Sequence, residues 1–266
     1  MKQLRFELKS HRKSFFFWSL SLFVFIIIIM MEFSAYRSNP ELLEILEVLP
    51  QELLAAFNLL DVNLTTVSGF TSITLDYIQL ALAIYASLLG AIIVSKEARW
   101  RTSDFLYVMP QSRFRINTIK FIAGLLLMSF MVIVVGTFFA LIASQYTPEA
   151  AYWSYLLRAH LMLWFILCFF YGFGYFLGSV VKSSKLASTI ASVTVFGLYL
   201  LSVFMNLVDS LSWLKPISIF SLSQYSKLIL DSKINPQAIV TCIACMILFY
   251  VVSILHFPKK DLGIHR

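Results

Sequence analysis

Six apolar runs, each about as long as a membrane is thick, decide what this chain can become. They cover approximately 15–35, 71–95, 119–144, 156–181, 186–207 and 237–257. An α-helix rises ~1.5 Å per residue, so a hydrocarbon layer of ~30 Å needs about 20 mostly apolar residues. In lipid every backbone N–H and C=O must find its partner inside the protein, which leaves helices or closed barrels. Barrel strands are short and alternate in polarity, and these runs do neither. Of the 266 residues, 59% are hydrophobic and 13% charged, where soluble domains average about half and about a quarter. The expected fold is an all-α membrane protein with six transmembrane helices. The first run is 18 residues from Ser14 to Met31, longer than the ~7–15 residues of a signal-peptide core, so it is expected to stay as the first membrane helix.

Lys and Arg set the orientation, because cytoplasmic loops are enriched in them. If the six helices alternate, sixteen basic residues fall on one side and five on the other. The rich side holds the N-terminus, the loop 96–120, the turn at Lys182 and Lys185, and the C-terminal tail. Both termini are therefore expected in the cytoplasm. Residues 1–14, with Leu4 and Leu8 among basic neighbours, are expected to form an amphipathic segment on that membrane face. Residues 15–257 would then be the six-helix domain and 258–266 a cytoplasmic tail. Trp18, Trp153 and Trp213 fall near helix ends, where interfacial Trp concentrates. The net charge of +7 is absorbed by this asymmetry, and no nucleic-acid partner is expected.

Two segments of the basic-poor side are more than loops. Residues 38–62 space Leu42, Ile45, Leu46, Leu49, Leu53 and Leu54 as short amphipathic helices would, punctuated by Pro40 and Pro50. Residues 213–235 are half apolar but too interrupted to span, and could dip part way in where protein shields the backbone. Gly174 and Gly178, in "YGFGYFLG", stand four apart, the spacing of small residues at close helix contacts. Cys168, Cys242 and Cys245 lie in apolar runs and read as small membrane-helix residues. There is no phosphate-binding loop, no H-E-x-x-H and no G-x-S-x-G, and the four His are scattered. No catalytic, cofactor or metal residues are expected.

The densest charge is "KEARWRTSDFLYVMPQSRFRINTIK", residues 96–120. As a helix, Glu97–Met109 gathers Ala98, Phe105, Leu106 and Met109 on one side and Trp100, Ser103, Asp104 and Tyr107 on the other. Pro110 ends it and Ser112 can cap the next helix. A short amphipathic helix would thus lie across the cytoplasmic mouth, joined to the second and third membrane helices. Its second, aromatic face suits a protein partner; snorkelling at the membrane interface is the other reading.

This loop resembles the cytoplasmic loop of ABC-2-type transporter permeases. The matching positions are Glu97, Thr102, Leu106, Pro110, Ser112, Arg113 and Lys120, with Arg101 where the family has Gly. "LPQELLAAFNL", "KPISIF", "YSKLILDSKIN" and "FPKKDL" are also similar to parts of such permeases. The resemblance implies a non-enzymatic membrane subunit of a bacterial plasma-membrane exporter. It implies a complex of two ATP-binding subunits, which hold ATP and Mg, and two permease chains, as homo- or heterodimer. It also makes the loop a coupling helix, with Glu97, Trp100, Thr102, Leu106, Tyr107, Pro110 and Arg113 as its ATPase-coupling residues.

Two polar stripes are candidates for a substrate pathway: Asp76, Gln79 and Ser87 on the second membrane helix, and Ser188, Ser192, Tyr199, Ser202 and Asn206 on the fifth. An ionisable group at membrane depth is costly and tends to face the bundle interior, whereas small polar residues are also ordinary helix–helix glue. An amphipathic peptide, an antibiotic or a hydrophobic compound suits a chain without a large outer domain. A permease-like sensor or scaffold, and a polytopic membrane protein of another class, remain the alternatives.

Overall fold

The computed structural model describes residues 2–38, 48–60, 62–100, 113–215 and 218–256. In chain order its helices are α1 (Lys2–Ser38), α2 (Gln51–Ala56), α3 (Val67–Trp100), α4 (Arg113–Ala143), α5 (Tyr152–Val180), α6 (Ser184–Leu207), α7 (Ile219–Leu222), α8 (Tyr225–Leu230) and α9 (Pro236–His256). Two 3-10 turns, Ser144–Tyr146 and Asp209–Leu214, follow α4 and α6. No strand occurs among the described residues. Among the described residues six helices, α1, α3, α4, α5, α6 and α9, are long and apolar enough to cross a membrane, which makes this an all-α, multi-pass membrane protein. They coincide with the six apolar runs.

The helix ends differ from the apolar runs in an instructive way. The sequence suggests separate roles for 1–14 and for the first membrane run, yet Lys2–Ser38 is one helix of 37 residues. No Pro or Gly falls in that stretch to stop it, so the backbone hydrogen-bond ladder continues. Similarly, α3 begins at Val67, ahead of the apolar run. Its first N–H groups need acceptors, and Glu149, from the turn between α4 and α5, supplies them. The Glu149 carboxylate accepts from Val67 N at 2.7 Å, Ser68 N at 3.3 Å and Ser68 Oγ at 2.9 Å. A negative charge at a helix N-terminus is favourable in itself.

The bundle is organised around two helices. Over their membrane windows α3 is 72% and α5 61% buried, against 17% for α1 and α9 and 22% for α6. The others form the outer ring, and their apolar side chains stay exposed. The most extensive helix–helix contact is α3 on α5. In lipid, apolar surface gains little by leaving lipid for protein, so helices associate through close packing and hydrogen bonds. Small residues make the approach possible here. A Cβ on Gly174 would stand 1.9 Å from Ser87 O, and one on Gly90 2.3 Å from Tyr171 O. Beyond that seam, Tyr171 Oη donates to Phe121 O at 3.1 Å on α4, and Tyr175 Oη to Asn117 O at 2.8 Å. The seam thus positions a second layer of contacts.

Gly174→Ala should lower the thermal midpoint of the purified protein in detergent, because α3 and α5 must separate; overpacking of this kind costs about 1–3 kcal/mol. Gly197 lies on α6 with nothing within 4 Å of an added Cβ. Gly197→Ala should leave the midpoint unchanged or raise it slightly, since Ala is the better helix former.

Candidate functional site

The charged loop leaves and re-enters the bundle at two buried lysines. Lys96, four residues from the end of α3, is 4% exposed and ion-paired with Glu7 of α1, itself 2% exposed. Lys96 Nζ also donates to Ser10 Oγ at 3.1 Å and stands 5.3 Å from the Phe6 ring centroid. Lys120 on α4 is fully buried and donates from Nζ to Ile93 O of α3 at 3.0 Å. The alternation pattern treats both as loop cations. The structure instead places them as internal struts, where a buried charge needs a partner. Glu7 and His11, in the expected surface segment, are buried as well. The start of α1 therefore grips the end of α3, and Ser95 Oγ ties it to Ser184 Oγ of α6 at 2.8 Å.

Of the loop residues themselves, Glu97 and Trp100 lie on the last turn of α3 and Arg113 opens α4. Their side chains, and Thr102, Leu106, Tyr107 and Pro110, lie outside the described residues, as does the 258–266 tail.

The opposite end carries a polar cluster. Asp76 is nine residues into α3, ~14 Å along its axis, and accepts from Asn58 Nδ2 at 3.2 Å. Asn58 Oδ1 accepts from Asn206 Nδ2 of α6 at 3.3 Å and from Gln224 Nε2 at 3.5 Å. One side chain therefore links α3, α6 and the 218–230 segment. Local chemistry holds it there. Asn58 follows α2 in the left-handed conformation, φ 55°, which Asn tolerates. Asn58 N donates to Ala55 O at 3.1 Å and Leu59 N to Leu54 O at 2.8 Å, the two-bond pattern that ends many helices.

Residues 218–230 fold back into the bundle. Ile219, Phe220, Tyr225 and Leu228 are buried, and α8 packs on α3 and α5. Gln79, ~18 Å along α3, donates from Nε2 to Ser223 Oγ at 3.0 Å, and Ser202 of α6 meets Ser221 Oγ at 3.1 Å. A hollow of about 20 Å³ remains at this junction, lined by residues that include Asp76, Tyr77, Gln79, Tyr199, Ser202 and Asn206.

The two stripes thus separate. Asp76, Gln79, Tyr199, Ser202 and Asn206 come together at the hollow. Ser87 does not: it is fully buried, donates to Ile84 O at 2.9 Å, and its backbone faces Gly174. Ser188 lies at the other end, in a recess of about 680 Å³ shared with Lys182 and Lys185. Ser192 is half-buried on α6, away from both hollows. Four residues that sequence reasoning did not single out hold these sites together: Glu7, Asn58, Ser223 and Glu149. The signal for Asn58 was present, an Asn closing the short helix after Pro50. The others contact residues far away in the chain, so no local spacing marks them. Among the described residues, no three His, Cys, Asp or Glu gather as a metal site would require.

The described residues form a six-span helical bundle, braced where the charged loop joins it and carrying a polar junction at the opposite end. A profile of the ABC-2 family transporter proteins matches residues 3–262, nearly the whole chain, and the chain belongs to that family. It is therefore an ABC-2 permease, a multi-pass protein of the cell membrane whose family works with a separate ABC ATPase subunit. No curated protein matches the chain.

Glu7→Gln should strip the buried Lys96 of its counter-charge and cost about 3 kcal/mol, as breaking one side of a buried pair does. Glu7→Leu combined with Lys96→Met should recover most of that loss. Thermal unfolding of the three proteins in one detergent measures both effects.

Proposed function

We propose that this chain is the membrane-spanning subunit of an ATP-driven exporter. Two separate ATPase subunits bind ATP and Mg, and a second permease chain, identical or related, completes the complex. The observation that supports this most is the bracing of the loop. Lys96 joins α3 to α1 immediately before it, and Lys120 joins α4 to α3 a short way after it. A displacement of residues 97–112 therefore acts on α1, α3 and α4 together. Closure of an ATPase pair favours one of two arrangements of the bundle, and the loop carries that preference across. Glu97, Trp100, Thr102, Leu106, Tyr107, Pro110 and Arg113 are the coupling residues in this reading. The loop faces the cytoplasm, with both termini.

The substrate leaves past the α3–α6 junction at Asp76, Gln79, Tyr199 and Asn206. Ser188 and Ser192 mark the same face of α6 nearer the loop, while Ser87 serves the α3–α5 contact. The substrate class is an amphipathic peptide, an antibiotic or another hydrophobic compound.

Glu97→Ala and Arg113→Ala, in proteoliposomes with the ATP-binding partner, should each lower permease-stimulated ATP hydrolysis and efflux of a fluorescent amphiphile by about tenfold, a difference of ~1.4 kcal/mol in coupling. Normal efflux at normal protein level would remove these residues from the coupling role. A complex that hydrolyses ATP but moves nothing would favour a sensor.

A further inference from the structure

We infer that the hollow at the α3–α6 junction is a binding site for a compact monovalent cation, either the primary ammonium end of an amphiphile or a sodium ion. The inference rests on the exporter reading and adds the chemical class of what passes.

The unused hydrogen-bonding capacity of the site points to a donor or a cation. Gln79 is 2% exposed and lines the hollow. Its Nε2 is committed to Ser223, and its Oε1 has no partner. Asn58 commits its Nδ2 to Asp76, while its Oδ1 already accepts two bonds. The one buried polar atom of the hollow left without a partner is thus an acceptor, Gln79 Oε1, and it stands beside a carboxylate. Asp76 has no Lys, Arg or His as an ion-pair partner among the described residues. A carboxylate at membrane depth with no fixed counter-ion is costly; a proton or a cation relieves that cost, and the cation proposed takes the place of the proton. Tyr77 and Tyr199 line the same hollow, and aromatic faces attract cations.

Size and charge narrow the occupant. The hollow of about 20 Å³ exceeds the ~10–15 Å³ that one water-sized group needs, and a primary ammonium or sodium is of that size. A trimethylammonium head is far larger. Asp76 is the one carboxylate lining the hollow, which suits a single positive charge; Ca2+ with its about six to eight oxygen ligands, or Mg2+ with the several waters it keeps, needs more room than this hollow has.

The test is binding of radiolabelled dodecylammonium at neutral pH to the full chain in nanodiscs of phosphatidylcholine, a lipid without net charge. Saturable binding is expected, weakened at least ~10-fold by Asp76→Asn and largely restored by Asp76→Glu. Asp231→Asn, an acid outside the hollow, should leave it unchanged. Dodecyltrimethylammonium should compete poorly. Competition by sodium chloride but not choline chloride would identify sodium as an occupant, and no competition by either salt would identify the ammonium group. Binding to Asp76→Asn within about twofold of wild type would mean partition into lipid alone and would overturn the inference.

A second measurement needs no substitution at Asp76. In Ser202→Cys, dodecylammonium should protect the thiol from a charged aqueous thiol reagent. Labelling without protection or saturable binding would sink the cation site and leave the pathway standing. No labelling at all would remove the pathway itself.

Discussion

The close approach of α3 and α5 is the contact on which the rest of the structure depends. In lipid the two helices gain little from burying apolar surface, so their attraction comes from backbone proximity and the fit of side chains around it. Gly90 and Gly174 remove the Cβ atoms that would stand within about 2 Å of the facing carbonyls. With the seam closed, Tyr171 and Tyr175 can reach backbone carbonyls of α4, α9 packs along the other side of α5, and α6 lies on the remaining face of α3. The outer helices then need bury only one face each.

Polar groups do the complementary work at the two ends of α3. At one end Glu7, Ser10 and Lys96 join α1 to α3, and Lys120 reaches back from α4 to Ile93. At the other, Glu149 satisfies the first N–H groups of α3, and Asn58 gathers Asp76, Asn206 and Gln224. Each contact is expensive to leave half made in a medium of low dielectric. The central helix is thus held at both of its ends by contacts to other segments of the chain.

Much of this was legible residue by residue, and the limits were physical. The six spans follow from length and polarity, because the membrane imposes both. The Gly174–Gly178 spacing pointed to a close contact, and Gly174 makes it. The inward cost of charge singled out Asp76, and the structure puts it at a junction with Gln79, Tyr199 and Asn206. The polar stripes, however, mixed two roles. Ser87 has the same helical phase as Asp76 but serves packing, because phase does not say which neighbouring helix a face will meet. Counting Lys96 and Lys120 as loop charges placed them at the proper end without showing that they turn inward.

The sequence by itself determined the number of spans, their helical nature, the charge asymmetry and the family resemblance, since each is set by composition and spacing along one segment. Only the tertiary structure decided which polar residues meet. Glu7 and Lys96 are 89 positions apart, Asn58 and Asn206 148, and Gln79 and Ser223 144. No local pattern encodes such pairs. They form because the glycine seam fixes the helix positions, and at those positions a buried donor or charge must find its partner.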